Sequence, residues 1–351
     1  MEQAGRMRMV LATPLTEELC RRVEELEPRV ELVRDHTLLP PMRHPGDHGG
    51  DPAWSRSRAQ QAAFEALVDS AEALYGIPDV SSDALARTVA ANPWLRWVQT
   101  MAAGGASQVA AAGLSAADLE RVRFTTSAGV HAGTLAEFAL FGLLAGAKTL
   151  PRLLEHQRAH EWPGRWAMGQ LHEQTILVVG LGSIGRRTAE LLLAVGARVV
   201  GANRSGTDLD GLAACVGLDA LAEVAPEVDG VVVTLPGAPA TTGLLDAGVL
   251  AALRPGATVV NVGRGTVIDE PALVDALRSG QVGFAALDVT ATEPLPADSP
   301  LWDMPQVLLS PHTAALSPAE DRRIAELTAD NARRLLDGRP LRNLVEPRDL
   351  G

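Results

Sequence analysis

Arg264, Glu293 and His312 each stand a few residues beyond a short apolar run in the C-terminal half of the chain. An imidazole can protonate the alkoxide that forms when a hydride reduces a ketone. A neighbouring carboxylate stabilises the imidazolium, and a guanidinium can bind a substrate carboxylate and polarise the keto oxygen. These side chains are therefore candidates for the catalytic acid, its partner and the substrate anchor.

A glycine pattern follows the apolar run Thr175–Val179 and precedes a helical run. The first glycine allows a tight turn, the second lets the backbone approach a pyrophosphate, and the third allows close packing of helix on strand. Free N–H groups at the start of the helix can then bind the phosphates. The pattern predicts a dinucleotide site made by Gly180, Gly182, Ser183, Ile184 and Gly185.

The next predicted strand ends at Asn203, Arg204 and Ser205. A carboxylate at this point would bind the ribose 2′-hydroxyl of NAD, whereas an arginine can pair with the 2′-phosphate of NADP. We expect NADP(H) to be preferred, with NAD(H) also possible. The alternative is that Arg204 is only solvated and that Asp208 or Asp210 binds the ribose.

Apolar strand-like runs alternate with helical runs in both halves of the chain, which indicates parallel sheets. The predicted fold is α/β, with two doubly wound domains separated by a cleft: a Rossmann cofactor domain at 127–314 and a flavodoxin-like substrate domain at 1–126 plus 315–351. Ligands bind beyond the carboxyl ends of parallel strands, so the three polar side chains should face one crevice. We expect one long linking helix at Gly133–Leu150 and a loop at 36–58.

Composition excludes several other classes of protein. The 351 residues carry a net charge of -12, which argues against nucleic acid or an anionic membrane as partner. The two cysteines, Cys20 and Cys215, form no C-x-x-C pair, which is typical of a reducing compartment. No secretory signal is recognisable, and the cytoplasm is the expected location.

No metal site is expected. His36, His44 and His48 cluster in the 36–58 loop, but they lack the fixed spacing on an ordered element that metal ligands require. The longest apolar stretch, Leu135–Leu150, is too short to span a bilayer and contains charged residues.

From Trp94 to Ser317 the sequence resembles the D-isomer-specific 2-hydroxyacid dehydrogenases. Four segments carry the resemblance: Val179–Gly185, Leu253–Gly265, Ala286–Leu295 and Ser310–His312. The resemblance implies that His312 is the general acid/base, that Glu293 is its partner and that Arg264 anchors the substrate.

The resemblance also implies contacts beyond this set. A substrate-carboxylate loop corresponds to Ala103, Gly104 and Gly105, whose backbone N–H groups would bind the anion. The cofactor contacts that it implies, from the adenosine side to the nicotinamide side, are Leu235, Pro236, Thr241, Val262, Gly263, Asp288 and Thr134.

The resemblance implies reduction of a small 2-keto acid to a D-2-hydroxy acid. The run Asn203–Ser205 looks like the glyoxylate/hydroxypyruvate reductase branch. One alternative is an NAD-linked phosphoglycerate-type dehydrogenase, and another is a non-catalytic, dinucleotide-sensing protein like the corepressors built on this fold. A homodimer is expected, with Trp162 and Trp166 in the dimer arm of this family.

Overall fold

A computed structural model of the chain describes residues 6–204 and 209–346. The chain forms two compact units: one comprises Met1–Val130 with Leu316–Gly351, and the other His131–Ala315. We call them the split unit and the continuous unit. The boundaries expected from sequence lie a few residues earlier, and the roles assigned to the two parts remain predictions.

The split unit contains a parallel sheet with the strand order β2-β1-β3-β4-β5. Its strands are β1 (Met7–Leu11), β2 (Val30–Val33), β3 (Ala73–Tyr75), β4 (Trp97–Gln99) and β5 (Arg123–Thr125). Its helices are α1 (Glu17–Leu26), α2 (Arg58–Val68), α3 (Ser82–Ala91), α4 (Ala106–Ala111), α5 (Ala116–Arg121) and, from the end of the chain, α12 (Glu320–Leu336).

Helix α12 completes the hydrophobic core of the split unit. Ile324, Ala325 and Ala329 are fully buried within that core. Asn331 on the same helix donates a hydrogen bond from Nδ2 to Oε1 of Gln99 on β4, at 3.2 Å. The C-terminal helix is therefore an integral part of this unit.

The 36–58 segment is a loop, as predicted, apart from one short helical turn. The Asp47 carboxylate accepts hydrogen bonds from the backbone N–H and the guanidinium of Arg43, and this guanidinium holds the pKa of Asp47 low, at about 2. The backbone N–H of Gly46 donates to Asp321 at 3.1 Å. The Arg43–Asp47 bonds lie within the loop, and the Gly46 bond attaches it to the start of α12.

The continuous unit contains a parallel sheet with the order β12-β11-β10-β9-β6-β7-β8. Its strands are β6 (Thr175–Val179), β7 (Arg198–Ala202), β8 (Ala214–Val216), β9 (Gly230–Val233), β10 (Ala257–Asn261), β11 (Val282–Leu287) and β12 (Val307–Leu309). Its helices are α6 (Ala132–Ala147), α7 (Leu150–Ala159), α8 (Ser183–Ala194), α9 (Leu221–Val224), α10 (Ala247–Ala252) and α11 (Glu270–Ser279).

The continuous unit thus has the doubly wound fold that the sequence predicts. Strand order reverses beside β6, which pairs with β7 on one side and with β9 on the other. At such a switch point the loops diverge and leave a crevice at the carboxyl ends of the strands. The turn after β6 is the glycine pattern.

The single linking helix expected at Gly133–Leu150 was wrong, because two helices occupy this region. Helix α6 ends at Ala147, Thr149 adopts a left-handed conformation (φ 52°), and α7 begins at Leu150 with an angle of 65° between the helices. Pro151 lacks a backbone N–H and fits only the first turn of a helix, so it marks the start of α7.

Among the described residues, no single helix has both the length and the apolar character needed to cross a membrane. Only α6 and α7 taken together, across their bend, reach that threshold. Helix α6 is apolar because much of it is buried against the sheet, and its glycines allow this close packing. A Cβ at Gly142 would lie 2.8 Å from Ala286, and one at Gly146 would lie 2.2 Å from the Thr258 hydroxyl, so the helix packs directly on β10 and β11.

Candidate active site

The imidazole of His312 and the carboxylate of Glu293 are in direct contact. Nδ1 of His312 lies 2.7 Å from Oε2 of Glu293, a short charge-assisted distance. The two side chains are 43% and 38% exposed, so neither is sealed inside the unit. Because Nδ1 faces the carboxylate, Nε2 is the ring nitrogen that can face a substrate.

The turn that carries His312 is bonded to Asp288. Oδ1 of Asp288 accepts hydrogen bonds from the Ser310 hydroxyl (2.6 Å) and from the backbone N–H groups of Thr313 (3.0 Å) and Ala314 (2.9 Å). The backbone oxygen of Asp288 accepts from the N–H of His312 at 2.9 Å. His312 has a φ of 55°, a conformation that costs a non-glycine residue about 1 kcal/mol, and these bonds hold it there.

The structure therefore adds a function for Asp288 that the sequence did not predict. Its side chain is only 1% exposed, and one carboxylate oxygen already accepts three hydrogen bonds. The contact with nicotinamide that the family resemblance implies remains a prediction. Through its three hydrogen bonds, Oδ1 of Asp288 positions the turn that carries His312.

Arg264 follows β10 in a loop that Asn261 shapes. The Asn261 amide donates to the backbone oxygen of Arg264 at 3.0 Å and accepts from the N–H of Gly263 at 3.0 Å. The Arg264 side chain is exposed, and Nη1 donates to the backbone oxygen of Gly263 at 2.7 Å. Among the described residues, no hydrogen bond joins Arg264 to Glu293 or His312, so the contact is limited to the imidazole and the carboxylate.

A pocket of about 550 Å³ lies beside this pair within the continuous unit. No lysine or arginine is among the described residues that line it. Trp302 closes one side, and its indole N–H donates to the backbone oxygen of Pro296 at 2.9 Å. The lining residues are Asp288, Thr290, Glu293, Pro294, Leu295, Trp302, Leu309, Ser310, Pro311 and His312.

The glycine turn after β6 fits a dinucleotide pyrophosphate. Gly180 has a φ of 99°, which only glycine adopts readily, and a Cβ at Gly185 would lie 1.8 Å from the Gly180 oxygen. A Cβ at Gly182 would meet no atom within 4 Å, so the turn is open at the point where phosphates would approach. Ser183 begins α8, Ile184 follows it, and no side chain caps the helix.

The residues after β7 are only partly described. Asn203 is buried, with its N–H donating to the backbone oxygen of Val216 at 3.1 Å, and Arg204 is exposed directly beyond it. Ser205 and Asp208 lie outside the described residues. Asp210 is exposed.

Two further loops carry predicted cofactor contacts. The hydroxyl of Thr241 is hydrogen-bonded to the backbone of the loop after β9, including a 2.8 Å bond to the oxygen of Pro236. It therefore shapes this loop, in which Leu235 is half-buried. A Cβ at Gly263 would lie 2.5 Å from the Leu235 oxygen, so the loops after β9 and β10 touch there. Val262, beside Gly263, is buried.

Thr134 lies in the first turn of α6. Its hydroxyl is 3.0 Å from the backbone oxygens of both His131 and Ala315. This hydroxyl ties the two chain ends of the continuous unit together. A contact with nicotinamide, as the resemblance implies, remains a prediction.

The predicted substrate loop belongs to the split unit, after β4. Ala103 and Gly104 are exposed, and Gly105 is buried just before α4. A Cβ at Gly105 would lie 1.9 Å from the Thr100 hydroxyl, so packing alone requires glycine there. At Gly104 a Cβ would meet no atom within 4 Å, which leaves the backbone open to a ligand.

One group of potential metal ligands, Glu17, Cys20 and His36, occurs among the described residues, with donor atoms within 4.8 Å of one another. The Arg34 guanidinium bonds to both Glu17 oxygens and lowers the pKa of that carboxyl to about 2. Burial raises the pKa of the Cys20 thiol to about 12, so it stays protonated at neutral pH. A protonated thiol is a poor metal ligand.

Comparisons with known proteins bear on the family to which the chain belongs. Residues 140–314 match the family model described as "D-isomer specific 2-hydroxyacid dehydrogenase, NAD binding domain". A solved D-isomer-specific 2-hydroxyacid dehydrogenase from Xanthobacter autotrophicus Py2, in complex with NADPH and MES, is similar over 99% of this chain and 100% of that one. The TM-score is 0.76 and the sequence identity 30%.

Two kinds of curated relative are similar to part of this chain. A glyoxylate/hydroxypyruvate reductase B from Pectobacterium atrosepticum is 33% identical over 62% of this chain and 69% of its own length. A D-3-phosphoglycerate dehydrogenase from Mycobacterium bovis is 37% identical over 58% of this chain, but this covers only 38% of the relative. The chain belongs to the D-isomer-specific 2-hydroxyacid dehydrogenases, a family of NAD(P)-dependent oxidoreductases.

Proposed function

We propose that this protein reduces a small 2-keto acid of the glyoxylate or hydroxypyruvate type to the D-2-hydroxy acid. The observation that carries the proposal is the 2.7 Å contact of His312 with Glu293 beside an open pocket. When bound, reduced nicotinamide supplies the hydride to the keto carbon. His312 donates the proton from Nε2 to the carbonyl oxygen, and Glu293 stabilises the charged imidazolium before the transfer.

We assign substrate binding to the guanidinium of Arg264 and to backbone N–H groups of the loop after β4. Arg264 pairs with the substrate carboxylate and polarises the keto oxygen. The backbone N–H groups of Ala103 and Gly104 are further proposed donors to an anion, whereas the N–H of Gly105 already donates to the backbone oxygen of Ala102 at 3.2 Å. The exposed Arg264 side chain and the open side of Gly104 support this assignment.

NADP(H) is the proposed cofactor, with NAD(H) as a weaker alternative. Arg204 lies two residues beyond the end of β7, the strand whose end faces the ribose in this fold. No carboxylate stands at Asn203 or Ser205 to repel a phosphate. The solved relative that binds NADPH is consistent with this preference.

Two alternatives remain, and a specific observation bears on each. A phosphoglycerate-type activity has support from the 37% identical relative, although the match covers only 38% of that relative's length. A non-catalytic dinucleotide sensor would have no need of the paired His312 and Glu293. We propose that the protein acts in the cytoplasm as a homodimer.

The test is turnover of glyoxylate, hydroxypyruvate and phosphohydroxypyruvate, followed by the loss of NADPH absorbance. We expect turnover of the first two and a loss of at least ~10²-fold in kcat for His312→Ala, since general acid catalysis is worth that much. His172, a half-exposed histidine before β6, provides the control variant His172→Ala, which should be fully active.

Full activity of His312→Ala would refute the assignment of the proton donor. Turnover of phosphohydroxypyruvate alone would favour the phosphoglycerate alternative. Tight cofactor binding without turnover of any 2-keto acid would favour the sensor.

A further inference from the structure

The loop that carries Glu293 lies directly against the backbone that follows Arg264. A Cβ at Gly265 would lie 1.9 Å from the carbonyl carbon of Thr290, so only glycine allows this approach. The N–H of Thr290 in turn donates to Oε1 of Glu293 at 3.3 Å. The second oxygen of that carboxylate faces His312. The position of the Glu293 carboxylate therefore depends on where the backbone at Thr290 is held.

A hydrogen bond from α11, which we call the tie, holds the same backbone. Oε2 of Glu270, the first residue of this helix, accepts a hydrogen bond from the N–H of Ala291 at 2.8 Å. Ala291 directly follows Thr290. Helix α11 is itself well fixed, since Asp269 caps its N-terminus and Leu273 is buried in the core.

We propose that Glu270 is a positioning residue for the proton transfer. It holds the Thr290–Ala291 backbone so that the Glu293 carboxylate meets Nδ1 of His312 in one fixed geometry. The inference rests on the proposed function, because it assigns the positioning to a catalytic pair. Within 6–204 and 209–346, the hydrogen bond of the Glu270 side chain is to backbone, so Glu270 acts through Glu293.

A purely structural role predicts something different. A carboxylate in the first turn of a helix stabilises that helix through its dipole, whatever the loop does. Such a role depends on the negative charge, whereas the tie to Ala291 depends on an acceptor oxygen. Glutamine keeps the oxygen and loses the charge, so Glu270→Gln separates the two roles.

The experiment compares Glu270→Ala, Glu270→Gln and a matched control, Glu18→Ala, which removes an exposed carboxylate from the first turn of α1. Hydrogen–deuterium exchange of the 288–294 peptide reports on the loop without requiring activity. Steady-state kinetics with NADPH and the 2-keto acid that the wild type reduces then separates kcat from the two KM values.

We expect Glu270→Ala to exchange faster over 288–294 and to lose about tenfold in kcat, the scale of one charge-assisted hydrogen bond, with the KM for NADPH unchanged. Glu270→Gln should retain wild-type exchange and a kcat within about twofold, and Glu18→Ala should change neither.

Unchanged exchange in Glu270→Ala would overturn the tie. Faster exchange with unchanged kcat would overturn its role in catalysis, and equal losses in the alanine and glutamine variants would assign Glu270 to the helix dipole instead. If the wild type reduces no 2-keto acid, the proposed function and the catalytic role of Glu270 both fail, whereas the exchange data still decide whether the tie exists.

Discussion

At the scale of single residues, the proposed chemistry depends on the contact between His312 and Glu293. His312 and Glu293 stand near the ends of separate apolar runs, and their meeting follows from the parallel sheet. The sequence pattern that locates these two residues does not reveal how Asp288 and Glu270 support them. Asp288 and Glu270 act by accepting hydrogen bonds from backbone N–H groups 21 to 26 residues away, and such contacts leave no pattern along the chain.

Arg204 carries the prediction about cofactor choice at this scale. Because a guanidinium pairs well with a phosphate dianion, kcat/KM should be higher with NADPH than with NADH. Arg204→Ala should lower kcat/KM for NADPH about tenfold or more and leave NADH nearly unchanged. Steady-state rates with each cofactor measure this difference.

The matched control is Arg187→Ala, which removes an exposed arginine of α8 that pairs with Glu190. Equal or better use of NADH by the wild type would show that Arg204 does not select the 2′-phosphate.

At the scale of elements, length and burial decided what could be predicted. Strands β6, β10 and β11 are almost wholly buried, so each stands out in the sequence as an apolar run, and the run Thr175–Val179 matches β6. Strands β5 and β8 have three residues each and helices α4 and α5 six each, too few to show a period in the sequence. The break between α6 and α7 falls at Lys148 and Thr149, which a helix tolerates, so the sequence shows no helix-breaking residue there before Pro151.

The turn between β6 and α8 gives a prediction about an element. Gly185→Ala would place a Cβ 1.8 Å from the Gly180 oxygen, so the helix must move and the fold should lose about 1–3 kcal/mol. Gly182→Ala has open space and a permissible φ of -71°, so its Tm should stay within about 2 °C of wild type.

Both variants should nevertheless lose cofactor affinity. The Cβ at 182 would occupy the path of the pyrophosphate, and the helix displaced by the Cβ at 185 would move the N–H groups that bind the phosphates. Thermal unfolding and fluorescence titration with NADPH separate the two effects. Wild-type affinity in Gly182→Ala would mean that the phosphates bind elsewhere.

At the scale of the whole molecule, exposed apolar side chains near α6 and α7 mark the surface at which we expect two chains to meet. Trp162 is fully exposed, and Phe141 and Leu144 are also exposed. We expect a homodimer of about 74 kDa, twice the 36.9 kDa of one chain, in size-exclusion chromatography with light scattering. Trp162→Ala should weaken the dimer by about tenfold or more, as loss of an aromatic anchor does.

Trp94→Ala is the matched control, because Trp94 is an exposed tryptophan of the split unit. A monomer at micromolar concentration, or equal effects of the two substitutions, would contradict the assignment of this surface.

The chain order of the two units has a consequence for biosynthesis. A ribosome synthesises the whole of His131–Ala315 before it makes α12, yet α12 supplies part of the apolar centre against which β4 and α1 pack. The earlier-made part of the split unit therefore keeps an uncovered apolar face throughout synthesis of the continuous unit and until Leu336 has emerged. Nascent chains stalled before Glu320 should for this reason recruit chaperones to the earlier-made half of the molecule.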